Sequence, residues 1–503
     1  MPQSDGGGGT DACREVVVLG AGFSHAVSGH FPLTRELGPL ALGAAGVRDD
    51  QRPPEGTNFE AWLSRIGEDQ PYRSAEENLG ARQLFAKMSA AIGQVLGERQ
   101  QRALQENAPL WLDDLVSVLH TRRPTVVSFN YDNVIECAVD GHCLTDYEPG
   151  LPRLVTNHDI VDRLPPLPPS ILSEENPVYT TPFQDRAVPR QHPLWNAHQV
   201  ARSFRLLKLH GSLSWYWSPD DTTGVTLQRW RSPGIFGEPL SEDEDERRRA
   251  LPGRVPFIVP PTATKSSYLT NLVVREIWGR ARSALAGAQR LIVIGYSVPP
   301  EDQVVSGMLA ETLGGRSVEV VIADPCANVV KARLEDLGVA ASAKRFDKQS
   351  CVEDFTAWYR DEQAARVVAG LRDWARSADL GPDGLKGQVH VEWGKCQRAS
   401  CMATGPLGHT WQVDTAAITA VDDGKDVLVP LLPRRDKIDQ GQVPGLLRLL
   451  SDNPAAERLV VQTTDKRTFP VVGYRVRPSG FRPDGTPSDP SRHLTLVPSG
   501  HPR

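Results

Sequence analysis

Val16-Val17-Val18-Leu19-Gly20-Ala21-Gly22, close to the amino end of the 503-residue chain, is an unbroken apolar run that stops at a pair of glycines. A run without polar alternation suits a strand buried on both faces, and glycines directly after it suit a tight turn into a helix. This is how a doubly wound sheet opens. The same grammar recurs at Thr125 to Phe129 before Asn130, Phe204 to Leu209 before His210-Gly211, Leu291 to Ile294 before Gly295, and Val318 to Ala323 before Asp324-Pro325. Between these runs the periodicity is helical. Phe59, Trp62, Leu63 and Ile66 share one face and Leu84, Met88, Ile92 and Leu96 another, and Ser266 to Leu285 reads as a further helix. The expected fold is α/β, a Rossmann-like, doubly wound, mainly parallel sheet with a helical insertion over about residues 57–120.

The chain is longer than one hydrophobic core organises, so more than one domain is expected. A tail over 1–13 should precede a first domain over 14–377, which ends in an amphipathic helix over Asp354 to Arg376. A Gly/Pro-containing linker over 378–386 should then lead into a smaller β-rich C-terminal domain, 387–503. Its apolar runs are Val389 to Trp393, Val427 to Leu432, Leu459 to Thr464 and Val471 to Val476. The interval 162–194 is crowded with proline, which forbids regular helix, and reads as an insertion across the surface. Ser241 to Arg249 runs acidic and then basic, the pattern of a solvated helix.

The 7 cysteines are scattered without framework spacing, as expected of a reducing cytoplasm. Met1 to Thr10 has no apolar stretch behind a basic head, and no run is long enough to span a bilayer, so neither a leader nor a membrane is expected. The net charge of -6, with no long block of one sign, leaves nucleic acid unsupported as a partner. Cys396 and Cys401 with His390 or His409 have irregular spacing for zinc, and no metal is expected.

In open α/β sheets ligands bind outside the carboxyl ends of the strands, so the polar residues ending the apolar runs are the candidates. Gly20 and Gly22 would let the backbone approach a pyrophosphate, with Ser24 and the first helix amides as donors. An ordinary strand-to-helix turn reads the same way, and His25 occupies the place of the third glycine in the dinucleotide fingerprint. Asn130 and Asp132 are either ligand contacts or caps for a helix at Val134-Ile135. His210 is either a catalytic imidazole or a satisfied structural one. Gly295-Tyr296-Ser297 is either a contact segment or a turn ahead of Pro299-Pro300.

In order, these segments resemble the sirtuin-like superfamily. Gly20-Ala21-Gly22-Phe23-Ser24 is similar to its first phosphate loop, Asn130-Tyr131-Asp132 to its Asn-x-Asp motif, Leu209-His210-Gly211 to its catalytic His-Gly, and Gly295-Tyr296-Ser297 to its Gly-x-Ser ribose/phosphate turn. The resemblance covers residues 14 to 360 and is strongest to the bacterial sirtuin-like proteins of antiviral defence, through Asn58-Phe59-Glu60, Phe129-Asn130-Tyr131-Asp132 and Ile294-Gly295-Tyr296-Ser297. It departs from the protein deacylases. Their zinc module of two Cys-x-x-Cys pairs is missing, and Gly29 to Thr34 stands in place of their Ala-Gly-Ile-Pro-Asp-Phe-Arg.

The resemblance implies hydrolysis of NAD to nicotinamide and ADP-ribose, with NAD as substrate and NAD depletion as an antiphage response. It implies Asn130 and His210 as catalytic residues. Asp132 would meet the carboxamide, the phosphate loop with Gly295, Tyr296 and Ser297 would hold phosphates and riboses, and Asp324 would meet the adenosine ribose. Because unchecked NAD destruction kills the host, it also implies an off state, held by the helical insert, the Pro-rich segment or the C-terminal domain. Oligomerisation or a phage-derived trigger would release it. A deacylase or ADP-ribosyltransferase, a non-catalytic NAD or ADP-ribose sensor and, more distantly, an oxidoreductase are the competing readings.

Overall fold

The structure, a computed structural model, describes residues 14–142, 144–146, 153–161, 203–218, 221, 227–229, 234–237, 255–262, 271–339 and 343–377, together with the backbone of short strands between 387 and 498. The tail, the Pro-rich interval, the charged run at 241–249, the Cys396 and Cys401 pair and the linker lie outside the described residues.

Strand β1 (Glu15–Leu19) leads into α1 (Ala21–Val27), then α2 (Thr34–Ala44), α3 (Phe59–Gly67), α4 (Ala75–Leu104) and α5 (Leu110–Arg122). Next come β2 (Thr125–Ser128), α6 (Val134–His142), a small pair β3 (Thr145–Asp146) and β4 (Arg153–Leu154), α7 (Asn157–Ile160) and β5 (Arg205–Lys208). Three antiparallel strands, β6 (Gly211–Trp217), β7 (Gln228–Arg229) and β8 (Val255–Ile258), precede α8 (Leu272–Ala286) and β9 (Arg290–Ile294). The first unit closes with α9 (Gln303–Leu313), β10 (Glu319–Ala323), α10 (Ala327–Asp336), β11 (Ala343–Phe346) and α11 (Cys351–Ser377).

The main sheet has six parallel strands in the order β11-β10-β9-β1-β2-β5. Counted from the centre outward and back, this is the 3-2-1-4-5-6 order of a doubly wound Rossmann sheet. Val16 to Leu19 lie between Thr125 to Ser128 on one side and Leu291 to Ile294 on the other. All five residues of β1 and of β9 are buried, which is why their sequence shows no alternation. Each buried Val, Leu or Ile contributes about 1.5–3 kcal/mol to holding the layers together. The chain winds outward from β1 through β2 to β5 and restarts at β9 on the other side of β1. The strand order therefore reverses at β1 and β9, and the region outside their carboxyl ends is where sheets of this kind bind ligands.

The helices between β1 and β2 form a layer with its own apolar core. Asn58 caps α3 by accepting from Ala61 N at 3.1 Å. A capping box opens α4, in which Ser74 Oγ accepts from Glu77 N at 3.1 Å and Glu77 Oε2 from Ser74 N at 2.7 Å. Leu37, Trp62, Leu63, Met88, Ile92 and Leu96 pack together with Leu213 of β6 and Ile258 of β8.

Four features differ from the sequence reading. Strand β11 was not anticipated, because Ala343-Lys344-Arg345-Phe346 is a charged edge strand with no apolar run. The antiparallel trio was missed because β6 begins directly at the His-Gly turn. Helix α8 starts at Leu272, where Asn271 Oδ1 accepts from Val273 N and Val274 N, rather than at Ser266. In the C-terminal part, β12 (Gly387–Glu392), β13 (Thr410–Val413), β14 (Thr419–Val421), β15 (Asp426–Leu432), β16 (Arg458–Thr463), β17 (Thr468–Val471), β18 (Tyr474–Pro478) and β19 (His493–Pro498) form an antiparallel eight-stranded sheet. There the run Val471 to Val476, read as one strand, falls across two.

Two buried charge clusters fix the ends of the parallel sheet. At the amino ends, Arg290 donates to Glu15 Oε1 (3.0 Å), Glu319 Oε2 (2.8 Å) and Glu362 Oε2 (2.8 Å), while Tyr359 Oη donates to Glu15 Oε2 (2.7 Å). Arg122 donates to Glu362 Oε2 at 2.8 Å and stacks 4.2 Å from the Tyr359 ring centre. This clamps α11 to β1, β9 and α5. Burial opposes ionisation of Glu362, yet hydrogen bonds from Arg290 and Arg122 and their charges hold its carboxyl at about 2.

At the carboxyl ends, Lys208 Nζ donates to Glu136 Oε1 (2.9 Å), Ser212 Oγ (2.9 Å) and the Asp132 carbonyl. Asn133 Nδ2 donates to Ser212 Oγ (2.8 Å) and Ser214 Oγ (3.0 Å), and its backbone N–H donates to Gln100 Oε1 of α4 (2.8 Å). All of these side chains are buried.

Lys208→Met is expected to destabilise the fold by about 3–5 kcal/mol, because it strands the buried Glu136 carboxylate. A denaturant midpoint equal to that of the parent would show that the ion pair is dispensable. The depressed Glu362 carboxyl adds stability that is complete above its ordinary value of 4.5 and lost as the pH falls from there toward about 2. Glu362→Gln should therefore lower the melting temperature at pH 7 and flatten its decline over that acid window, as read by calorimetry. An unchanged acid limb would contradict the assignment.

Candidate functional site

The carboxyl ends of β1 and β9 meet so closely that no side chain fits between them. A Cβ on Gly20 would lie 2.5 Å from Gly295 O, and a Cβ on Gly295 would lie 2.1 Å from Phe23 N. Gly295 also has a φ of 58°, a conformation that glycine adopts without cost. Gly20 N donates to Ile294 O at 3.1 Å and Gly22 N to Gly295 O at 2.9 Å, which stitches the two turns together. The glycines of the first loop thus serve close packing of two strand ends. The amides of Gly20, Gly22 and Phe23 are taken by the carbonyls of Ile294, Gly295 and Gly20 rather than left open as donors.

Against this interlock sit Asn130 and Asp132, delivered by β2. Asn130 Nδ2 donates to Gly20 O (2.8 Å) and to Ser24 Oγ (2.9 Å), and Ser24 Oγ donates onward to Asp132 Oδ2 (2.7 Å). Both amide protons of Asn130 are used in these bonds, so the expected donor-and-acceptor face reduces to the acceptor Oδ1. Ser24 is buried, and its hydroxyl organises Asn130 and Asp132. Asp132 Oδ1 also accepts from Val134 N at 3.2 Å, so the residue caps α6 as well as facing Ser24. Burial pushes the Asp132 carboxyl up, against the charge of Lys208 and the hydrogen bond from Ser24.

His210 follows β5. Its carbonyl accepts from Val259 N at 2.9 Å, and Gly211 turns the chain at a φ of 81°, where a Cβ would strike Phe257 O at 2.1 Å. Any other residue at 211 would displace the imidazole. Around the ring stand Phe129 (centroids 5.1 Å apart), Tyr131 (6.2 Å) and Trp278 (6.4 Å). Trp278 Nε1 donates to Leu209 O at 3.1 Å and Tyr131 Oη to Val259 O at 2.7 Å, so two of these aromatics are pinned by their polar ends.

Tyr296 stacks on Phe129 with centroids 4.4 Å apart. Its Oη is buried and has no hydrogen-bond partner among the described residues. Burial first, then the negative charges of Asp302 and Glu60, push the phenol well above its ordinary value, so it remains a neutral O–H donor. An unmet buried hydroxyl costs about 1–3 kcal/mol, which an acceptor on a ligand would relieve.

The structure thus brings together Gly20, Ala21, Gly22, Phe23, Ser24, Asn130, Asp132, Gly295 and Tyr296, and joins His210 to them through Phe129. Ser297 and Asp324 sit at the periphery. Ser297 is exposed, and its carbonyl accepts from Arg333 Nη1 at 2.6 Å. Asp324 follows β10, beside β9, and its Oδ1 accepts from Cys326 N at 2.7 Å. Burial raises the Asp324 carboxyl, opposed by that backbone bond and by the charge of Arg333. No group of three His, Cys, Asp or Glu among the described residues could hold a metal ion.

Sequence reasoning missed Lys208, Asn133 and Asp302. A lysine inside the apolar run Phe204 to Leu209 was the available signal for the first. Asp302 Oδ2 lies 3.6 Å from His210 Nε2 while Oδ1 accepts from Val305 N at 3.3 Å. In sequence it is indistinguishable from an ordinary helix cap.

No family model matches the sequence, and no curated protein matches it. Among solved structures, a Sir2 homolog–NAD complex is 14% identical, spans 69% of this chain and 90% of its own, and gives a TM-score of 0.32. A Sir2–p53 peptide–NAD+ complex is 14% identical, covering 70% and 94% with a TM-score of 0.27. A structure addressing the basis of sirtuin substrate affinity is 12% identical, covering 69% and 93% with a TM-score of 0.27. Similarity of this degree assigns no residue a role.

Proposed function

We propose that this chain is an NAD glycohydrolase of sirtuin-like type, cleaving NAD to nicotinamide and ADP-ribose in the cytoplasm as an antiphage response. The observation that carries this reading is a Tyr296 phenol with no hydrogen-bond partner among the described residues, on a ring stacked against Phe129, which packs against His210 and directly precedes Asn130, at the switch point of a doubly wound sheet. The order of motifs along the chain supports it as a resemblance.

In this reading the turns at Gly20 to Ser24 and Gly295 to Tyr296 let the phosphates and riboses approach the backbone closely, and because the amides of Gly20, Gly22 and Phe23 are spent on the interlock, Ala21 and Ser297 supply further contacts. Asp132 meets the carboxamide of nicotinamide, and Asp324 meets the adenosine ribose. The nicotinamide ring of NAD is cationic, so breaking its bond to the ribose C1′ releases neutral nicotinamide and leaves positive charge on the sugar. Asn130 Oδ1 accepts from a ribose hydroxyl or from the attacking water, which fixes its approach. Water then bonds to C1′ and gives its proton to His210, yielding ADP-ribose. Phe129, Tyr131, Tyr296 and Trp278 restrict other water around the imidazole. An off state is required in the cell; the helical layer α2 to α4, the Pro-rich segment or the C-terminal sheet holds it, and oligomerisation or a phage-derived trigger releases it.

Nicotinamide release from NAD is the test, with the purified chain alone and with extract from phage-infected cells. Asn130→Ala and His210→Ala should each lower release by about 10²–10⁴-fold. Release that requires an acyl-lysine or protein acceptor would instead make the chain a deacylase or transferase, and NAD binding without release would make it a sensor. Tyr296→Phe separates stability from binding. Removing the unmet hydroxyl should raise the stability of the ligand-free protein by about 1 kcal/mol and weaken NAD binding roughly tenfold. A variant that is destabilised and binds NAD normally would contradict the proposed contact.

A further inference from the structure

The segment from Gly295 to Asp302 supplies more than the phenol of Tyr296. Val298 in its middle has a φ of 50°, in the left-handed region that a β-branched residue rarely enters, and its side chain is 3% exposed. Such a conformation is strained and persists only where the surroundings hold it. It is held at both ends. Gly295 is locked under Gly22 and Phe23, and Asp302 N donates to Pro299 O at 3.1 Å. From outside, Asn58 Nδ2 of the helical layer donates to Glu301 Oε1 at 3.0 Å. The result of the strained turn is that Asp302 comes back to the imidazole that β5 delivers from the other side of β1.

We propose that Asp302 is a positioning residue for His210, holding the proton on Nε2 and leaving the lone pair on Nδ1 to receive the proton of the attacking water. This rests on the proposed role of His210. The two carboxylate oxygens of Asp302 divide their work: Oδ1 caps α9 through Val305 N, and Oδ2 faces His210 Nε2 at 3.6 Å. Both side chains are 8% exposed. A cap alone needs no carboxylate, since Asn or Ser serves as well, and caps usually stand in water. A carboxylate aimed at a buried imidazole from 3.6 Å has a short way to close into a hydrogen bond when a ligand fills the crevice. As His210 takes the proton from water, the imidazolium gains its counter-charge at Nε2.

The geometry makes Asp302→Asn a sharp test. Val305 N needs an oxygen, so the new amide must keep Oδ1 on the cap and turn its NH2 toward His210 Nε2. Nε2 then has to accept, and the ring proton moves to Nδ1. The 15N resonances of selectively labelled histidine, with His210→Ala identifying the signal, should show an Nε2-protonated ring in the parent protein and an Nδ1-protonated ring in Asp302→Asn. In turnover, Asp302→Asn should lower kcat for nicotinamide release by about 30–1000-fold and leave KM within about threefold, with melting temperature nearly unchanged. Asp302→Ser, which keeps only the cap, should lose turnover without losing α9. An identical His210 tautomer in the parent and Asp302→Asn overturns the proposal whether or not NAD is cleaved. So does parental turnover in Asp302→Asn when His210→Ala abolishes it. Turnover that survives His210→Ala would instead remove His210 as the base, and the tautomer measurement would still decide whether Asp302 positions it.

Discussion

The contact between Gly20 and Gly22 after β1 and Gly295 after β9 is the constraint on which the rest of the site depends. These two strands are adjacent but distant in sequence, and the doubly wound order forces the chain to change direction between them. With no Cβ at either turn, the strand ends close to backbone contact. Everything attached to them is then placed within a few ångströms: Ser24 and the bonds from Asn130 on one side, Tyr296 and the return to Asp302 on the other. A methyl group at any of the three glycines would separate the halves of the crevice before it affected any chemistry.

The two buried charge clusters share the remaining work by position. The Arg290, Glu15, Glu362 and Arg122 cluster sits at the amino ends of the strands, remote from the crevice, and anchors α11. The Lys208, Glu136 and Asn133 cluster lies directly under the Asn130 to Asp132 turn and ties it to β5, α6 and α4. Hydrophobic residues of equal volume would give comparable stability at either place. Only hydrogen bonds in fixed directions can hold a backbone turn at a set height above a sheet, which accounts for a buried lysine reaching the Asp132 carbonyl.

The central strands were legible in the sequence because burial on both faces leaves an unbroken apolar record, as in Val16 to Leu19 and Leu291 to Ile294. The positions of Asn130, His210 and Gly295 were legible because a polar or glycine residue abruptly ends such a run. The charged edge strand β11 was not, since it has one solvent-facing side and no apolar run to display. Lys208 broke the apolar run around it without indicating a partner, because Glu136 and Ser212 meet it only after folding. Asp302 was hidden for a different reason: its capping role fully explains its local sequence, and its approach to His210, 92 residues away in the chain, depends on the backbone at Val298 and on the end of β5. The spent amides of Gly20, Gly22 and Phe23 were equally out of reach, being consumed by a turn from the other half of the sheet.

The helical layer between β1 and β2 has the contacts needed to influence this crevice. Tyr131 packs against its apolar core while facing His210, Gln100 of α4 bonds the backbone beside Asp132, and Asn58 holds Glu301 next to Asp302. The charge of Glu60 also acts on the Tyr296 phenol. These four connections reach the Asn130 to Asn133 turn, His210, Asp302 and Tyr296 separately. A shift of the layer as a body would therefore move all of them together, whereas a change confined to one side chain would move one. Coupling between an external signal and the site, if carried by this layer, needs a rigid-body displacement rather than a chain of side-chain rearrangements, because its own core of Trp62, Leu63, Met88 and Ile92 packs too densely to deform in part.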